Sequence, residues 1–362
     1  MIMHIVGNRP QFIKLAPVSK ELQRRGYRQV VIHTGQHYDE NMSEVFFEEL
    51  GILKPDQNLG VGSGTHAQMT GRAMIEIEKA LEEHRPDCVI LYGDTDSTLA
   101  GAIATVKMNV PIVHIEAGIR TGKLKNPEEA NRIVTDHLSD MLFCSDAASV
   151  RNLRAEGIAD HVYQVGDVMY DTFLQYRKSE GGTVLKKHGL KQDGYALMTW
   201  HRQENTHSRE RMRQIIGFLK KTRRQIVCPM HPGTRAKLVE YDLMEELEEL
   251  PGVLILPPVG YADMMELMVN AHIILTDSGG VSKESYFAGV KCILMVDLNL
   301  WPDLMKANWI TKLDFDSETS IRDALLRMEE KRDGETAVLP DIYGRGDASA
   351  RIADILERAY QL

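Results

Sequence analysis

Long apolar runs are missing from this 362-residue chain, and none approaches the ~20 residues that a membrane span needs. Cysteine is scarce. Cys88, Cys144, Cys228 and Cys292 form no C-x-x-C pair, and each sits in an apolar strand-like run (D-C-V-I-L-Y, L-F-C-S, I-V-C-P, C-I-L-M-V). That placement reads as buried free thiols in a reducing compartment, rather than disulfides or a zinc site. A basic excess is also missing: 43 Lys and Arg stand against 52 Asp and Glu. This balance excludes a broad nucleic-acid or membrane-surface role and leaves room only for a local basic pocket. The opening M-I-M-H-I-V-G-N-R-P has no basic n-region and turns polar too soon for a signal peptide, so the expected location is the cytoplasm.

What is present is an ordinary soluble composition, 43% apolar and 26% charged, on a chain long enough for two domains. Short β-branched runs alternate with amphipathic helical stretches. M-H-I-V-G precedes a helix over roughly 11–25, followed by Q-V-V-I-H-T-G. Further strand-like runs are D-C-V-I-L-Y-G-D, P-I-V-H-I-E and D-M-L-F-C-S-D. The pattern pauses at G-D-V-M-Y-D (166–171) and resumes with Y-A-L-M-T-W-H, R-Q-I-V-C-P-M-H, H-I-I-L-T-D-S-G-G and V-K-C-I-L-M-V-D. Strands alternating with helices predict βαβ units and parallel sheets, here in two α/β domains with a cleft between them. Such sheets bind ligands beyond the carboxyl ends of their strands, where the unusual residues of this chain lie.

Three segments carry chemistry. In G-N-R-P-Q-F-I-K (7–14), Gly7 permits a tight turn, Pro10 suits a helix start, and Arg9 and Lys14 stand near a helix N-terminus that favours an anion. In T-D-S-G-G-V-S-K-E-S-Y (276–286), Ser278, Gly279 and Gly280 can bring backbone N–H groups against a phosphate. Glu284 can accept from ribose hydroxyls. The segment is neither a Walker A run nor G-x-G-x-x-G, which argues against an NTPase or a nicotinamide enzyme.

The third segment is H-I-E-A-G-I-R-T-G-K-L-K-N-P-E-E-A-N-R (114–132). Glu116 ends a strand where a helix cap would be Ser, Thr, Asp or Asn. Glu128 and Glu129 open a helix, and Asp94 ends the strand before T-D-S-T-L-A. Asp94 alone fits an N-cap, and either Glu128 or Glu129 alone fits a first-turn acid. Together they suggest proton transfer. His201 ends the first strand of the second domain with Arg202 beside it, and His231 is placed similarly one strand later. Anion contact or proton transfer is the expected role, and no metal site is expected.

The ordered set G-N-R-P-Q-F-I-K, H-T-G-Q-H-Y-D, Y-G-D-T-D-S-T-L-A, H-I-E-A-G-I-R-T, P-E-E-A-N-R, V-G-D-V-M-Y-D, W-H-R-Q-E-N, M-H-P-G-T-R and D-S-G-G-V-S-K-E resembles the non-hydrolysing UDP-N-acetylglucosamine 2-epimerases. The resemblance implies a glycosyltransferase-B-like fold of two Rossmann-like domains with the active site in the interdomain cleft. The first domain would span 1–167, with a C-terminal helix at 346–362 packing back onto it, and a UDP-binding domain would span 168–345. It implies interconversion of UDP-GlcNAc and UDP-ManNAc without NAD or metal, by elimination of UDP to a glycal and re-addition. By the same resemblance Asp94, Glu116, Glu128 and His201 are catalytic, while Arg9, Lys14, Ser278, Gly279, Gly280 and Glu284 hold the UDP-sugar. A homodimer is implied too, with no nucleic-acid or membrane partner.

The chain departs from that pattern. Asn8 stands where Thr is common and Gln11 where many members have Glu. The run M-V-D-L-N-L-W-P-D-L-M (295–305) replaces polar positions with Val296, Leu298, Asn299 and Leu300 while keeping Asp297 and Trp301. Aliphatic groups there would suit a less polar or modified sugar. Two further readings stand beside the epimerase. One is a hydrolysing relative that releases UDP and the free sugar. The other is a glycosyltransferase or nucleotide-sugar-binding protein. Gln36 and Arg202 are compatible with a second, activating UDP-sugar.

Overall fold

The computed structural model describes residues 1–35, 54–177, 183–297, 301–332 and 341–360. The chain forms two compact units, residues 1–174 with 341–362 and residues 175–340.

The first unit holds strands β1 (Ile2–Val6), β2 (Gln29–His33), β3 (Gln57–Asn58), β4 (Cys88–Tyr92), β5 (Ile112–Ile115), β6 (Met141–Cys144) and β7 (Val162–Gln164). They pair in parallel in the order β3-β2-β1-β4-β5-β6-β7. Every residue of β1, β4, β5 and β6 is buried. Helices cover both faces of a parallel sheet, which is why these strands are almost wholly apolar, with His4 and His114 as their buried polar residues. Met3, Ile5, Ile32 and Leu91 pack with Ile77 and Leu81 of the helix His66–His84 in one core cluster.

The second unit holds β8 (Tyr195–Thr199), β9 (Gln225–Pro229), β10 (Val253–Leu256), β11 (Ile273–Thr276), β12 (Cys292–Leu294) and β13 (Ile310–Lys312). Their order is β10-β9-β8-β11-β12-β13, again parallel throughout. Both sheets therefore follow the Rossmann order 3-2-1-4-5-6, the first with one strand added. In each the direction of chain progression reverses at one place, between β1 and β4 and between β8 and β11, and a ligand crevice opens at such a reversal.

The first unit extends to Leu174. The pause at 166–171 is the entry to the helix Val168–Arg177, whose first turns are fastened to the first unit. Thr172 Oγ1 donates to the Ile13 carbonyl at 2.8 Å. Asp171 caps the helix Ala348–Tyr360 by accepting from the N–H groups of Ala348 (3.1 Å) and Ser349 (2.7 Å). That last helix buries Ile352, Ala353 and Leu356, and its Asp354 and Glu357 reach Arg25 at 2.7 and 2.9 Å. Residues 341–345 also belong to the first unit. Tyr343 lies so close to Gly166 that a Cβ there would stand 2.8 Å from the Tyr343 carbonyl oxygen.

All four cysteines are free and buried. Burial pushes the thiols of Cys88, Cys228 and Cys292 up to about 12, so they remain inert. No described helix is long and apolar enough to cross a membrane.

Candidate active site

At the first reversal the turn after β1 opens the helix Arg9–Arg24. Asn8 caps that helix by accepting from the Gln11 N–H at 3.2 Å. Gln11 explains its own identity: Oε1 accepts from the Gly7 N–H at 2.7 Å, while Nε2 donates to the Tyr92 carbonyl (2.7 Å) and to Thr98 Oγ1 (2.9 Å). A carboxylate has no hydrogen to donate and could not make the last two bonds. Gln11 thus ties the turn after β1 to the end of β4. Arg9 is exposed at the first helical position, one residue ahead of Pro10. Lys14 is buried one turn further on.

Two of the expected acids come together here. Asp94 follows β4 and forms an ion pair with Arg132, and Glu116 follows β5 and forms one with Lys14. Burial works against the charge of Arg132, but Asp94, Glu116 and Glu129 outweigh it and raise its pKa. The backbone of Glu116 is left-handed, φ +73°, a conformation a non-glycine residue holds only where the surroundings impose it. The N–H groups of Glu116 and Ala117 both donate to the Phe143 carbonyl, at 3.0 and 3.1 Å, and this fixes the turn.

The adjacent glutamates separate. Glu129 is buried and accepts from the N–H groups of Thr121 and Gly122 at 2.8 Å and from Arg132 at 3.1 Å. Glu128 is exposed on the first turn of the helix Pro127–Leu138, four residues before Arg132 and so on the same helical face. Glu129 holds the 121–122 turn, and Glu128 is the acid left open to a ligand. No direct contact joins Glu128 to Asp94 or Glu116 among the bonds described.

At the second reversal His201 follows β8, and Ser278 follows β11. Ser278 caps the helix Gly279–Phe287, its Oγ accepting from the Val281 N–H at 3.3 Å. The first N–H groups of a helix have no partner within it, so Gly279 and Gly280 present donors at the positive end of the dipole. Trp301 Nε1 braces this turn by donating to the Gly279 carbonyl at 2.9 Å, and the fully buried Lys283 places Nζ 4.6 Å from the centre of the Trp301 ring. Glu284 is buried one turn into the helix and accepts from the Tyr261 hydroxyl at 3.4 Å.

Asp277 was overlooked by sequence reasoning, although it stands inside the quoted T-D-S-G-G. It is fully buried and accepts from the backbone N–H groups of His201 (3.0 Å) and Arg202 (2.9 Å) and from Asn205 Nδ2 (3.3 Å). Nδ1 of His201 is 3.3 Å from the same carboxylate. The His231 ring lies 5.8 Å from that of His201, centre to centre. Burial, then the neighbouring His201, lowers the pKa of His231, and its Nδ1 accepts from the Gly233 N–H at 3.1 Å. His231 is a helix cap at this position. Among the described residues no group of three or more His, Cys, Asp or Glu side chains could hold a metal ion. Gln36 and the run Leu298, Asn299 and Leu300 lie outside the described residues. Asp297 pairs with Lys312 at 2.9 Å.

Two parallel Rossmann-type sheets, each with polar side chains at its reversal point, define the glycosyltransferase-B class of fold. The sequence profile described as UDP-N-acetylglucosamine 2-epimerase matches residues 20–357. A UDP-N-acetylglucosamine 2-epimerase homolog of Methanococcus maripaludis is 41% identical over 358 residues, covering 98% of this chain and 99% of the relative. The UDP-2,3-diacetamido-2,3-dideoxy-D-glucuronate 2-epimerase of Pseudomonas aeruginosa is 41% identical over 367 residues, with 99% of each chain covered. The crystal structure of the Methanocaldococcus jannaschii UDP-GlcNAc 2-epimerase in complex with UDP-GlcNAc and UDP superposes with a TM-score of 0.88 at 35% identity, over 99% of each chain. The chain belongs to the UDP-N-acetylglucosamine 2-epimerase family.

Proposed function

We propose that this enzyme inverts C2 of a UDP-N-acetylhexosamine by eliminating UDP and adding it back. The observation that carries the reading is the pair of carboxylates, Asp94 and Glu116, that end the neighbouring strands β4 and β5, each beside a cation. A C2–H with no adjacent carbonyl is not acidic, so the C1–O bond must break ahead of proton removal. UDP leaves with the bonding pair, C1 becomes oxocarbenium-like, and a carboxylate then takes the C2 proton to give the glycal. A proton returns to C2 from the opposite face, and UDP re-forms the C1–O bond, so nothing is gained or lost. Two faces of C2 call for more than one proton-transfer group, a task suited to Asp94, Glu116 and Glu128 with His201. The diphosphate calls for N–H donors and positive charge, which suits Ser278, Gly279 and Gly280 with Arg9 and Lys14, and Glu284 suits the ribose. We take the working enzyme to be a homodimer that needs neither NAD nor metal.

The sugar has two candidates. UDP-GlcNAc is bound in the M. jannaschii relative, while a relative at 41% identity is named for a diacetamido glucuronate. Leu298 and Leu300, where the family pattern is polar, favour a sugar other than plain GlcNAc. Proton NMR in D₂O with each UDP-sugar tests both readings. Deuterium at C2 and growth of the 2-epimer are expected with one of them. Release of free sugar with stoichiometric UDP would instead select hydrolysis, and an unchanged spectrum with both sugars would leave nucleotide-sugar binding or transfer.

A further inference from the structure

His114 lies fully buried in β5, and both ring nitrogens face acceptors. Nδ1 is 2.7 Å from Asp136 Oδ1, and Nε2 is 2.8 Å from the Gly93 carbonyl oxygen. A carbonyl has no hydrogen to give. Asp136 is ionised beside the Arg120 guanidinium: its second oxygen accepts from the Gly118 N–H (3.1 Å) and from Arg120 (2.7 Å). Two short contacts to two acceptors require a hydrogen on each ring nitrogen. The charged groups then alternate: His114 imidazolium, Asp136, Arg120, and Glu156, which accepts from Arg120 at 2.7 Å. Two cations meet two anions, the arrangement in which a buried charge is tolerated. Cys144 of β6, the remaining titratable neighbour of Asp136, stays neutral because burial raises its thiol.

This unit grips the backbone beside both expected acids. Gly93 immediately precedes Asp94 and is held at both ends by β5: its carbonyl by His114, its N–H by the Ile115 carbonyl at 3.0 Å. Gly118, two residues past Glu116, is held by Asp136. We propose that His114, protonated on both nitrogens, is a positioning residue that fixes Asp94 and Glu116 relative to one another through Gly93, Asp136 and Gly118. The inference rests on the proton-transfer reading above and adds to it a residue that never touches the sugar.

The test has two arms. In the wild-type protein labelled with ¹⁵N-histidine, the His114 ring, told apart from the buried rings of His4, His33 and His272 by single substitutions of those three, is expected to show two N–H groups at pH about 7.5, where an exposed histidine is mostly neutral. A single ring N–H overturns the proposal and does so whether or not any UDP-sugar turns over. In the second arm His114→Gln is expected to lower kcat for C2 exchange roughly 10- to 100-fold, because small misplacements of reacting groups have effects of that size. KM and UDP affinity should change little, since no ligand contact is removed. A folded variant with wild-type kcat overturns the positioning role. If His114→Gln does not fold, the ring measurement on the wild-type chain still decides. A wild-type enzyme inert towards every UDP-N-acetylhexosamine, yet with a doubly protonated ring, would count against the proton-transfer reading and not against the clamp.

Discussion

The Asp277 carboxylate lies 3.3 Å from Nδ1 of His201 and accepts from the backbone N–H of the same residue, so one buried acid sets both the loop and the ring that leaves it. On the proposed reading His201 moves a proton through Nε2, with the Asp277 carboxylate beside Nδ1. Asp277→Asn retains the shape but gives the carboxylate's place to a neutral amide. The expected result is a fall in kcat of about 10²-fold, in line with the loss of a general acid–base group. UDP binding should be kept, because Ser278, Gly279 and Gly280 are unaltered. Steady-state kinetics with UDP titration calorimetry checks both halves.

Glu116→Gln separates the two proton-exchange readings, epimerase and hydrolysing relative, from transfer or nucleotide-sugar binding. If Glu116 moves the C2 proton, deuterium incorporation should drop by roughly 10²- to 10⁴-fold. Stability should also fall, because Lys14 is left buried without its partner, a loss of about 3–5 kcal/mol for a broken buried pair. Thermal unfolding beside NMR exchange distinguishes the effects. Retained exchange in a folded variant would remove Glu116 from the chemistry.

The strands that are buried on both faces were legible because burial itself writes them as mainly apolar runs: Ile2–Val6, Cys88–Tyr92 and Tyr195–Thr199 have no exposed position. The edges were not. Gln57–Asn58 is two polar residues, and Val162–Gln164 has no fully buried one, so neither carries an apolar signal. The same holds for the site. That Asp94, Glu116 and His201 follow strands could be read because a strand end is a local feature. The partnership of Asp277 with His201 spans 76 residues and that of His114 with Asp136 spans 22, distances over which only the sheet order brings residues together. Glu128 and Glu129 were ambiguous because adjacent residues differ only in which way the helix turns them.

That ambiguity gives an expected contrast. Glu129→Gln should destabilise the fold by about 1–3 kcal/mol, the effect of weakening a buried acceptor that serves two N–H groups and Arg132. Glu128→Gln should leave the melting temperature unchanged and lower kcat. Burial raises the Glu129 pKa, but the Thr121 and Gly122 N–H groups, the Thr121 side chain and Arg132 together outweigh it, so the folded value lies below the ordinary 4.5. Its stabilisation is therefore complete above pH about 4.5 and lost as pH falls towards the folded value. Acid unfolding curves of the two variants should differ in that window.

Gly93 gives a steric test of the same site. It sits at φ +64°, and a Cβ there would stand 2.9 Å from Lys14 Nζ. Gly93→Ala is expected to lower stability by roughly 1–2 kcal/mol through the left-handed backbone alone. It should also push Lys14 away from Glu116, lowering kcat more than Glu128→Gln does. A variant that loses stability but keeps full turnover would show that the Lys14–Glu116 pair is structural.

Asp171 carries the opposite pH dependence. Burial, only partly offset by the N–H and hydroxyl groups of Ala348 and Ser349, raises its carboxyl from 3.8 to about 6. The folded state therefore binds a proton between those values that the unfolded state does not. Stability through this group rises as pH falls from about 7 towards 4, by roughly 2–3 kcal/mol at full extent. Ala348 donates to Oδ1 and Ser349 to Oδ2, so a proton on Oδ1 leaves both Ser349 bonds in place and removes the repulsion of Asp167. Hydrogen exchange of the helix Ala348–Tyr360 should slow on going from pH 7 to pH 5, after correction for the intrinsic rate. Asp171→Asn should abolish that pH dependence. An unchanged slope in the variant would mean that another group, and not the cap of the last helix, titrates there.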